Sequence, residues 1–339
     1  MTQQTFNFTN SSVNYFFDAS ISLLPQIVAP AHAIIITDEN VHRCHADKMI
    51  GYKTIIIPAG EIHKNQHTVN SIIEQLIALE ADRKSTLVGI GGGVVTDITG
   101  YVASVYMRGI AFGFVPTTLL AMVDASIGGK NGIDVGIYKN MVGIIRQPGF
   151  LLYDVTLLQT LPSEEWSNGF AEIIKHACIK DASMFALLQQ HSLLDFKTNN
   201  VLLADLVERN ARLKTQVVQA DEFETGERKL LNYGHTLGHA LENEYQLMHG
   251  QAVAIGMVYA GIISQQLLQF EQLPELLEVI EQYQLPTNGA FDLSRAMEVL
   301  KMDKKRERTN INYILLQQIG KGVIHTLPLT QVETIIQQL

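Results

Sequence analysis

The first half of the chain alternates short runs of β-branched residues with amphipathic stretches, and this alternation constrains the fold more than any other feature. Residues 31–37 (AHAIIIT) and 53–58 (KTIIIP) predict buried strands, and residues 69–81 carry apolar side chains at helical spacing. Residues 85–91 and 112–118 predict two further strands. Because strands that alternate with helices form parallel sheets, we predict a doubly wound α/β region.

The second half has the apolar spacing of long helices. This spacing occurs at residues 169–179, 204–218, 235–244 and 252–268. The change of pattern falls near Thr160, where a strand-like segment gives way to a turn. We therefore predict an α/β domain at 1–160 and a helical domain at 161–339. The sequence shows no internal repeats.

The composition argues against several classes of protein. A net charge of −9 disfavours nucleic acid and anionic membranes as partners, because binding to phosphates needs a basic surface. Apolar stretches such as residues 253–263 are short or interrupted by polar residues, so we expect no membrane segment. The N-terminus lacks the features of a signal peptide, which predicts a cytoplasmic protein. Since Cys44 and Cys178 are the only cysteines, a metal ion would need histidine and carboxylate ligands.

A glycine run, Gly91–Gly93, follows the strand predicted at 85–91 and precedes a helix expected to begin near Asp97. Glycines at such a turn let backbone N–H groups approach a phosphate, and the helix dipole adds to the attraction. The order departs from the usual dinucleotide pattern, since Asp38, the candidate acid for a ribose, precedes the glycines. The run predicts either a pyrophosphate cradle or a tight turn that needs only small residues.

Histidines at helical spacing form the second motif. His235 and His239 are four residues apart, and His249 follows after a short loop. With a carboxylate from Glu172 they would suit a metal that keeps an open coordination position for substrate. Spacing does not decide which of these histidines, or His176, bind a metal. A single histidine on an apolar helix is more commonly a core or surface residue.

A third cluster combines hydroxyl, carboxylate and ammonium groups in residues 116–130 (PTTLLAMVDASIGGK). The Gly-Gly-Lys segment can bring an ammonium to a phosphate, and the threonines follow a strand. The alternative is a glycine-rich surface loop with solvated lysines. Cations in glycine-rich or histidine-rich stretches indicate a small anionic ligand; they are Arg108, Lys130, Lys139, Lys175, Lys214 and Arg228.

Taken in order, these segments resemble the 3-dehydroquinate synthases, a family of sugar-phosphate cyclases. The matching segments are PAGEIHK, GGGVVTDITGYVASVYMRGI, VPTTLLAMVDASIGGKNGID, YKNMVG, LPSEEWSNGFAEIIKHACI, LLNYGHTLGHALE and HGQAVAIGM. The resemblance covers nearly the whole chain. It implies an α/β N-terminal domain with a Rossmann-like parallel sheet, which binds NAD, and an all-α C-terminal domain, which binds metal and substrate.

The resemblance also implies a role for each matching residue. Zinc, or cobalt in its place, would be held by Glu172, His235 and His249. NAD would contact Asp38, Asn40, Gly60, Glu61, Lys64, Gly93, Val94, Asp97, Thr117, Thr118, Lys130, Lys139 and Thr160. The substrate would contact Asp124, Lys130, Asn140, Lys175, Lys214, Arg228, Asn232 and His239. The family is homodimeric, and Arg108 matches an arginine that reaches the neighbouring subunit's phosphate site.

The implied reaction converts 3-deoxy-D-arabino-heptulosonate 7-phosphate to 3-dehydroquinate and phosphate, in the shikimate pathway to chorismate and the aromatic amino acids. A secondary alcohol is oxidised transiently, so that phosphate can leave by β-elimination. Re-reduction, ring opening and an intramolecular aldol closure follow. Phosphate elimination makes the enzyme a carbon–oxygen lyase that regenerates its NAD.

Three other functions compete with this interpretation: a different sugar-phosphate cyclase, a metal-dependent polyol dehydrogenase, and an inactive binding or regulatory protein. Lys175, Lys214, Arg228 and His239 together favour dehydroquinate synthase over other cyclases. A dehydrogenase would release NADH stoichiometrically. The intact candidate ligands and lysines argue against an inactive protein.

Two positions depart from the common family pattern. Thr96 stands where many relatives have glycine, and Asn131 where they usually have threonine; both border predicted cofactor loops. Neither removes a charge that the reaction requires. The cation for the substrate carboxylate is placed between Lys304 and Arg308, with no choice among the basic residues there.

Overall fold

The computed structural model describes residues 1–136, 138–289, 291, 295, 298 and 310–337. It has two compact units, each made of two chain segments. The first unit comprises Met1–Pro162 and Asn200–Phe223, and the second comprises Ser163–Asn199 and Glu224–Leu339. The candidate carboxylate-binding residues from Lys304 to Arg308 lie outside the described residues.

Eleven strands occur in the described residues. They are β1 (Thr2–Asn7), β2 (Ser12–Phe17), β3 (Ala33–Asp38), β4 (Lys53–Ile57), β5 (Thr86–Gly91), β6 (Ala111–Pro116), β7 (Lys130–Val135), β8 (Tyr138–Ile145), β9 (Phe150–Leu152), β10 (Asn310–Gln318) and β11 (Lys321–Pro328). The main sheet has the order β1-β2-β9-β6-β5-β3-β4 and is parallel except for the pair β1–β2. Two antiparallel hairpins, β7–β8 and β10–β11, stand outside that sheet.

The α-helices follow in the same chain order. They are α1 (Leu24–Ile27), α2 (Glu39–His45), α3 (Gln66–Ala78), α4 (Gly93–Val105), α5 (Ser163–Lys180), α6 (Ala182–Gln190), α7 (Leu193–Thr198), α8 (Asn200–Ala220), α9 (His235–Tyr245), α10 (His249–Leu268), α11 (Leu273–Gln282) and α12 (Leu329–Gln337).

The predicted parallel-sheet region is confirmed in the first unit. The strands expected at 31–37, 53–58, 85–91 and 112–118 are β3, β4, β5 and β6. Strands β3, β5 and β6 are largely buried, as expected for parallel strands covered on both faces, whereas the edge strand β4 is only partly buried. The start of one helix differs from the prediction: the helix expected to begin near Asp97 begins at Gly93. The last glycine of the run is therefore already the first residue of α4.

The second unit is mainly helical, as predicted, and contains one addition. The hairpin β10–β11 packs against α5 and α10. Residues 313–316 of β10 form one buried apolar run, and such a run does not distinguish a strand from a buried helix by its spacing. The division into domains 1–160 and 161–339 stays a prediction, and the structure adds that α8 packs with the first unit.

Helix α10 is the one helix in the described residues that is long and apolar enough to cross a bilayer, by length and composition alone. The apolar stretch in the sequence is short or interrupted by polar residues, but the helix runs through its glycines for 20 residues. Most of its apolar window is buried against other parts of the protein. It packs against α5, α9, α11 and β10. We therefore describe α10 as the central core helix of the second unit.

Glycines bring the start of α9 close to the first half of α10. A Cβ at Gly256 of α10 would lie 1.8 Å from the carbonyl oxygen of Gly234, which immediately precedes α9. A Cβ at Gly238 would lie 2.9 Å from the carbonyl oxygen of Ala252. Gly234 itself has a φ of 78°, a left-handed conformation that glycine adopts without strain. The two helices can approach this closely only because these positions have no side chain.

We expect Gly256→Ala to destabilise the second unit by about 1–3 kcal/mol, because the added methyl would overlap backbone atoms that cannot turn aside. The matched control is Gly261→Ala on the same helix, where a Cβ would meet only the flexible ends of two leucine side chains. Urea unfolding followed by the fluorescence of Trp166, the single tryptophan, measures both variants. Equal midpoints for the two variants would contradict this account.

Candidate functional site

The second unit holds a buried carboxylate at its centre. Glu172 lies in the middle of α5 and its side chain is fully buried. Lys175, three residues later on the same helix, is also buried and forms an ion pair with Oε2 of Glu172. A buried carboxylate is stable only with such partners, because it has lost its hydration. Helix α5 thus presents a paired carboxylate and ammonium from adjacent positions of one face.

Two histidines complete a cluster around Glu172. His235 begins α9 and His249 begins α10, so the close approach of these helices brings both imidazoles together. Nε2 of His235 lies 3.4 Å from Oε1 of Glu172, and Nε2 of His249 lies 3.0 Å from the same oxygen. The three candidate ligand atoms all lie within 4.8 Å of one another. One carboxylate oxygen and two imidazole nitrogens match the donor set of a catalytic zinc site.

The remaining nitrogen of each imidazole contacts an acceptor. Nδ1 of His235 lies 3.1 Å from the carbonyl oxygen of Tyr233. Nδ1 of His249 lies 3.3 Å from Oε2 of Glu242. Because these oxygens accept hydrogen bonds, both Nδ1 atoms carry a proton, and in the neutral rings the lone pair is then on Nε2. Both histidines therefore direct the ligating nitrogen toward Glu172.

Burial and charge separate the two histidines. Burial, together with the Lys175 ammonium, lowers the pKa of His235 to about 3. Burial also lowers the pKa of His249, but hydrogen bonds to Glu172 and Glu242 outweigh it and raise the pKa to about 10. Near neutral pH, His235 is neutral, whereas His249 is a cation. Its Nδ1 proton faces Glu242 and its Nε2 proton faces Glu172. A divalent cation would displace that proton, so metal binding here would release protons.

Three other candidate residues of the second unit are His239, His176 and Arg228. The ring of His239 packs edge-on against that of His235, with centroids 5.1 Å apart, and is outside the ligand group. His176 is buried on α5 one turn after Glu172. The side chain of Arg228 is buried in the short helix Glu227–Asn232.

The glycine cradle (Gly91–Gly93) lies at the carboxyl end of β5 in the first unit. A Cβ at Gly91 would lie 2.5 Å from the Val95 side chain, and one at Gly92 would lie 3.0 Å from Cγ2 of Thr118. Side chains are therefore excluded, and the first-turn N–H groups of α4 remain exposed along a bare backbone, as an anion at a helix N-terminus requires. The amide of Thr117 donates to the carbonyl of Gly91 at 2.9 Å, which ties the end of β6 to the cradle.

Lys64 connects several predicted cofactor and substrate residues. Its buried Nζ lies 2.6 Å from Oδ2 of Asp97 and 2.7 Å from Oδ1 of Asn140, with Glu61 at 3.8 Å. Burial raises the pKa of Asp97 to about 6, although Lys64 opposes this. The amide of Asn140 donates to Asp134 at 2.7 Å. Asn140, predicted as a substrate contact, is thus bonded to a predicted NAD contact.

A second ion pair of the first unit joins residues far apart in sequence. Nζ of Lys214, on α8, lies 2.6 Å from Oδ1 of Asp124 and 2.8 Å from its carbonyl oxygen. This contact explains why α8 belongs to the first unit. Lys130 and Lys139 are exposed, at the first residue of β7 and the second of β8.

Asp38 and Asn40 mark the carboxyl end of β3. The Asp38 carboxylate caps α2, accepting the amides of Asn40 and Val41 at 2.8 and 2.9 Å. The Thr160 hydroxyl instead lies 2.9 Å from Nε2 of His45, at the end of α2. The structure therefore places the predicted NAD residues in several separate contact groups of the first unit.

Arg108 lies in an unusual turn. It is exposed and has a φ of 66°, next to Met107 with a φ of 49°. The guanidinium of Arg146 holds this turn from both sides, donating to the carbonyls of Ala103 and Ile110 at 3.0 and 2.9 Å. The fold thus fixes the turn and presents the side chain of Arg108 outward.

The two departures from the family pattern are structural. The Thr96 hydroxyl donates to the carbonyl of Gly93 at 3.0 Å. The Asn131 amide donates to the carbonyls of Gly129 and Arg146 at 2.7 and 2.9 Å. Both side chains therefore donate hydrogen bonds to nearby backbone carbonyls.

Sequence reasoning missed Glu242, Tyr233, Asp134 and Arg146, which support predicted site residues. The contact of Glu242 with His249 depends on a chain reversal between two helices, which no spacing rule identifies. A sequence signal does exist for Glu242. It lies seven residues after His235, and a glutamate at that spacing faces the same side of a helix.

Comparison with known proteins gives consistent matches. A family model described as 3-dehydroquinate synthase N-terminal matches residues 54–168, and one described as 3-dehydroquinate synthase C-terminal matches residues 169–306. The 3-dehydroquinate synthase of Campylobacter concisus (strain 13826) is 41% identical over 302 residues, 86% of either chain. That of Pyrococcus abyssi (strain GE5 / Orsay) is 38% identical over 318 residues, 91% of this chain and 94% of the relative.

A solved structure has the same fold. The 2-epi-5-epi-valiolone synthase of Streptomyces hygroscopicus subsp. jinggangensis 5008, with NAD⁺ and Zn²⁺ bound, aligns with a TM-score of 0.89 at 25% identity, covering 99% of this chain and 98% of that one. The sequence matches are much closer in identity than this structural match. On these matches, the chain belongs to the 3-dehydroquinate synthase family.

Proposed function

We propose that this enzyme converts 3-deoxy-D-arabino-heptulosonate 7-phosphate to 3-dehydroquinate and phosphate, as a carbon–oxygen lyase. The observation that carries the proposal is the cluster of Glu172, His235 and His249, which offers a metal-binding donor set inside a chain of this family. Relatives that match most of the chain at 38–41% identity are named for this reaction. Phosphate elimination requires no oxidant overall, so the cofactor is regenerated in each turnover.

Zinc fits the donor set of Glu172, His235 and His249, and cobalt would fit the same nitrogen and oxygen ligands. NAD fits the glycine cradle, where a side chain at Gly91 or Gly92 would obstruct the backbone. When bound, NAD would accept and return a hydride while the metal polarised the alcohol that is oxidised. The valiolone synthase that shares this fold contains both groups.

The protein's own residues would bind, orient and compensate charge. Lys130 and Arg108 are the cations proposed for the substrate phosphate, which must leave as an anion. Lys175 is held by Glu172 at the metal cluster, where an ammonium can stabilise an oxyanion that forms during the reaction. His239, whose ring packs against that of His235, is proposed to contact a substrate hydroxyl rather than the metal. These roles are the ones that the family resemblance implies for the matching positions.

The remaining cofactor and substrate assignments stay proposals of the same kind. For NAD they concern Asp38, Asn40, Gly60, Glu61, Lys64, Gly93, Val94, Asp97, Thr117, Thr118, Lys130, Lys139 and Thr160. For the substrate they concern Asp124, Asn140, Lys214, Arg228 and Asn232. A homodimer, a cytoplasmic location and the choice of zinc over cobalt also remain predictions.

The purified enzyme, given catalytic NAD and the heptulosonate phosphate, is expected to release phosphate with no net NADH. Phosphate is measured colorimetrically and NADH by its absorbance at the same time points. A chelator should stop the reaction and added zinc restore it. Accumulation of one NADH per substrate would instead identify a polyol dehydrogenase. Absence of turnover with this substrate, but turnover of another phosphorylated sugar, would identify a different cyclase.

His249→Ala is expected to lose zinc and nearly all turnover, because the two remaining ligands would hold the ion weakly. Metal content per chain after gel filtration and the rate of phosphate release measure the two effects. His325→Ala provides a control, since His325 lies on β11 in the second unit and is outside the ligand group. A variant at 249 with full zinc content and normal rate would refute the ligand assignment.

Arg108→Ala is expected to lower phosphate release while leaving NAD affinity nearly unchanged, because its turn lies outside the cofactor contacts. Arg83→Ala, another exposed arginine of the first unit, is the control. If Arg108 serves the neighbouring subunit, mixing the Arg108→Ala and His249→Ala proteins should restore about a quarter of parent activity, since half of randomly exchanged dimers would have one complete site. A collapse of NAD affinity in Arg108→Ala would contradict the phosphate role.

A further inference from the structure

We propose that Glu242 is a positioning residue for the metal ligand His249, an inference that rests on the proposed metal site. Glu242 lies near the end of α9, and His249 begins α10. Its role would be to hold the imidazole ring in the orientation and tautomer that bind zinc. Glu242 itself would not touch the metal or the substrate.

The contacts of His249 define the two ends of this arrangement. Its Nε2 lies 3.0 Å from Oε1 of Glu172, and its Nδ1 lies 3.3 Å from Oε2 of Glu242. A deprotonated carboxylate can only accept, so Nδ1 must donate to Glu242. This assigns the lone pair of the neutral ring to Nε2, on the side of Glu172. An imidazole that donates its second N–H to a carboxylate is the arrangement that orients histidine ligands of metals.

Helix α9 carries a metal ligand, His235, and the supporting carboxylate of Glu242 on one face. His235 stands at its first position and Glu242 seven residues later, close to two full turns. The ligand His235 and the supporting carboxylate therefore face the same side of one rigid helix. After α9, residue Gln246 adopts a left-handed conformation with a φ of 52°, and the chain returns to place His249 against this face. One helix thus supplies a ligand directly and orients the next ligand.

The two histidines are supported differently. His235 relies on the backbone carbonyl of Tyr233, which no side-chain substitution removes. His249 relies on the Glu242 carboxylate, which is about nine-tenths buried. A buried carboxylate binds the N–H more strongly than a neutral carbonyl and makes the imidazole a better donor to a cation. His249 is also the more exposed of the two rings, so it depends more on this support.

The variants Glu242→Ala and Glu242→Gln test the proposal. Glutamine has nearly the same shape and can still accept from Nδ1, but it has no charge. The matched control is Glu244→Gln on the same helix, because Glu244 pairs with Arg295 instead. Zinc affinity of each full-length protein is measured by competition with a chromogenic chelator. Trp166 fluorescence confirms that each variant is folded.

Glu242→Ala is expected to weaken zinc binding about 10- to 100-fold, Glu242→Gln less, and Glu244→Gln by less than about twofold. The decisive comparison repeats Glu242→Ala in a His249→Ala background, titrated with enough zinc to load the weak site that Glu172 and His235 still form. There it should change zinc affinity by less than about twofold, because the ring that it supports is absent. A general structural role would weaken binding equally in both backgrounds.

Two results would overturn the proposal: unchanged zinc affinity in Glu242→Ala, or an equal loss in both backgrounds. Either result, with one zinc per chain in the parent protein, leaves the proposed metal site intact and removes only the role of Glu242. A parent protein that binds no zinc would remove the metal site and this inference together.

Discussion

The second unit depends on a carboxylate in a place that water does not reach. Glu172 is fully buried in the middle of α5, and a buried charge is tolerated only when several groups compensate it. Lys175 meets one oxygen and the two imidazoles approach the other. Burial and the Lys175 ammonium lower the pKa of His235, whereas hydrogen bonds to Glu172 and Glu242 outweigh burial and raise the pKa of His249.

Small residues are the steric condition for that arrangement. The imidazoles stand at the first residues of α9 and α10, and these two helices approach each other where Gly234, Gly238 and Gly256 leave room for backbone contact. In the first unit, the glycines at the end of β5 leave the N-terminus of α4 without side chains of their own to cover it. The candidate site of each unit therefore depends on the missing side chain of glycine. In the second unit it lets two helices pack closely, and in the first it leaves backbone N–H groups uncovered.

The first unit also shows how ion pairs assemble remote segments. Lys64 connects the loop after β4 with α4 and with β8, through Asp97 and Asn140. Lys214 brings α8 to Asp124, although some 90 residues separate them in the chain. These pairs are buried or nearly so, which makes each charge costly unless its partner is present. The residues of these pairs match contact residues of the family, and they also hold distant segments of the first unit together.

The sequence alone determined the alternating strands and helices of the first unit, the helices of the second, the family and the identity of the candidate ligands. The strands and helices follow from local periodicity, whereas the family and the ligands follow from the resemblance of the ordered motifs to those of the family. Three features are visible only in the folded chain: α8 packs with the first unit, β10 and β11 form a hairpin, and Glu242 faces His249. The structure also leaves His239 outside the ligand group, as the family resemblance implied, although its spacing from His235 is that of a metal ligand. Spacing places side chains on one face of a helix, but which of them meets a carboxylate on another helix depends on how closely the helices pack.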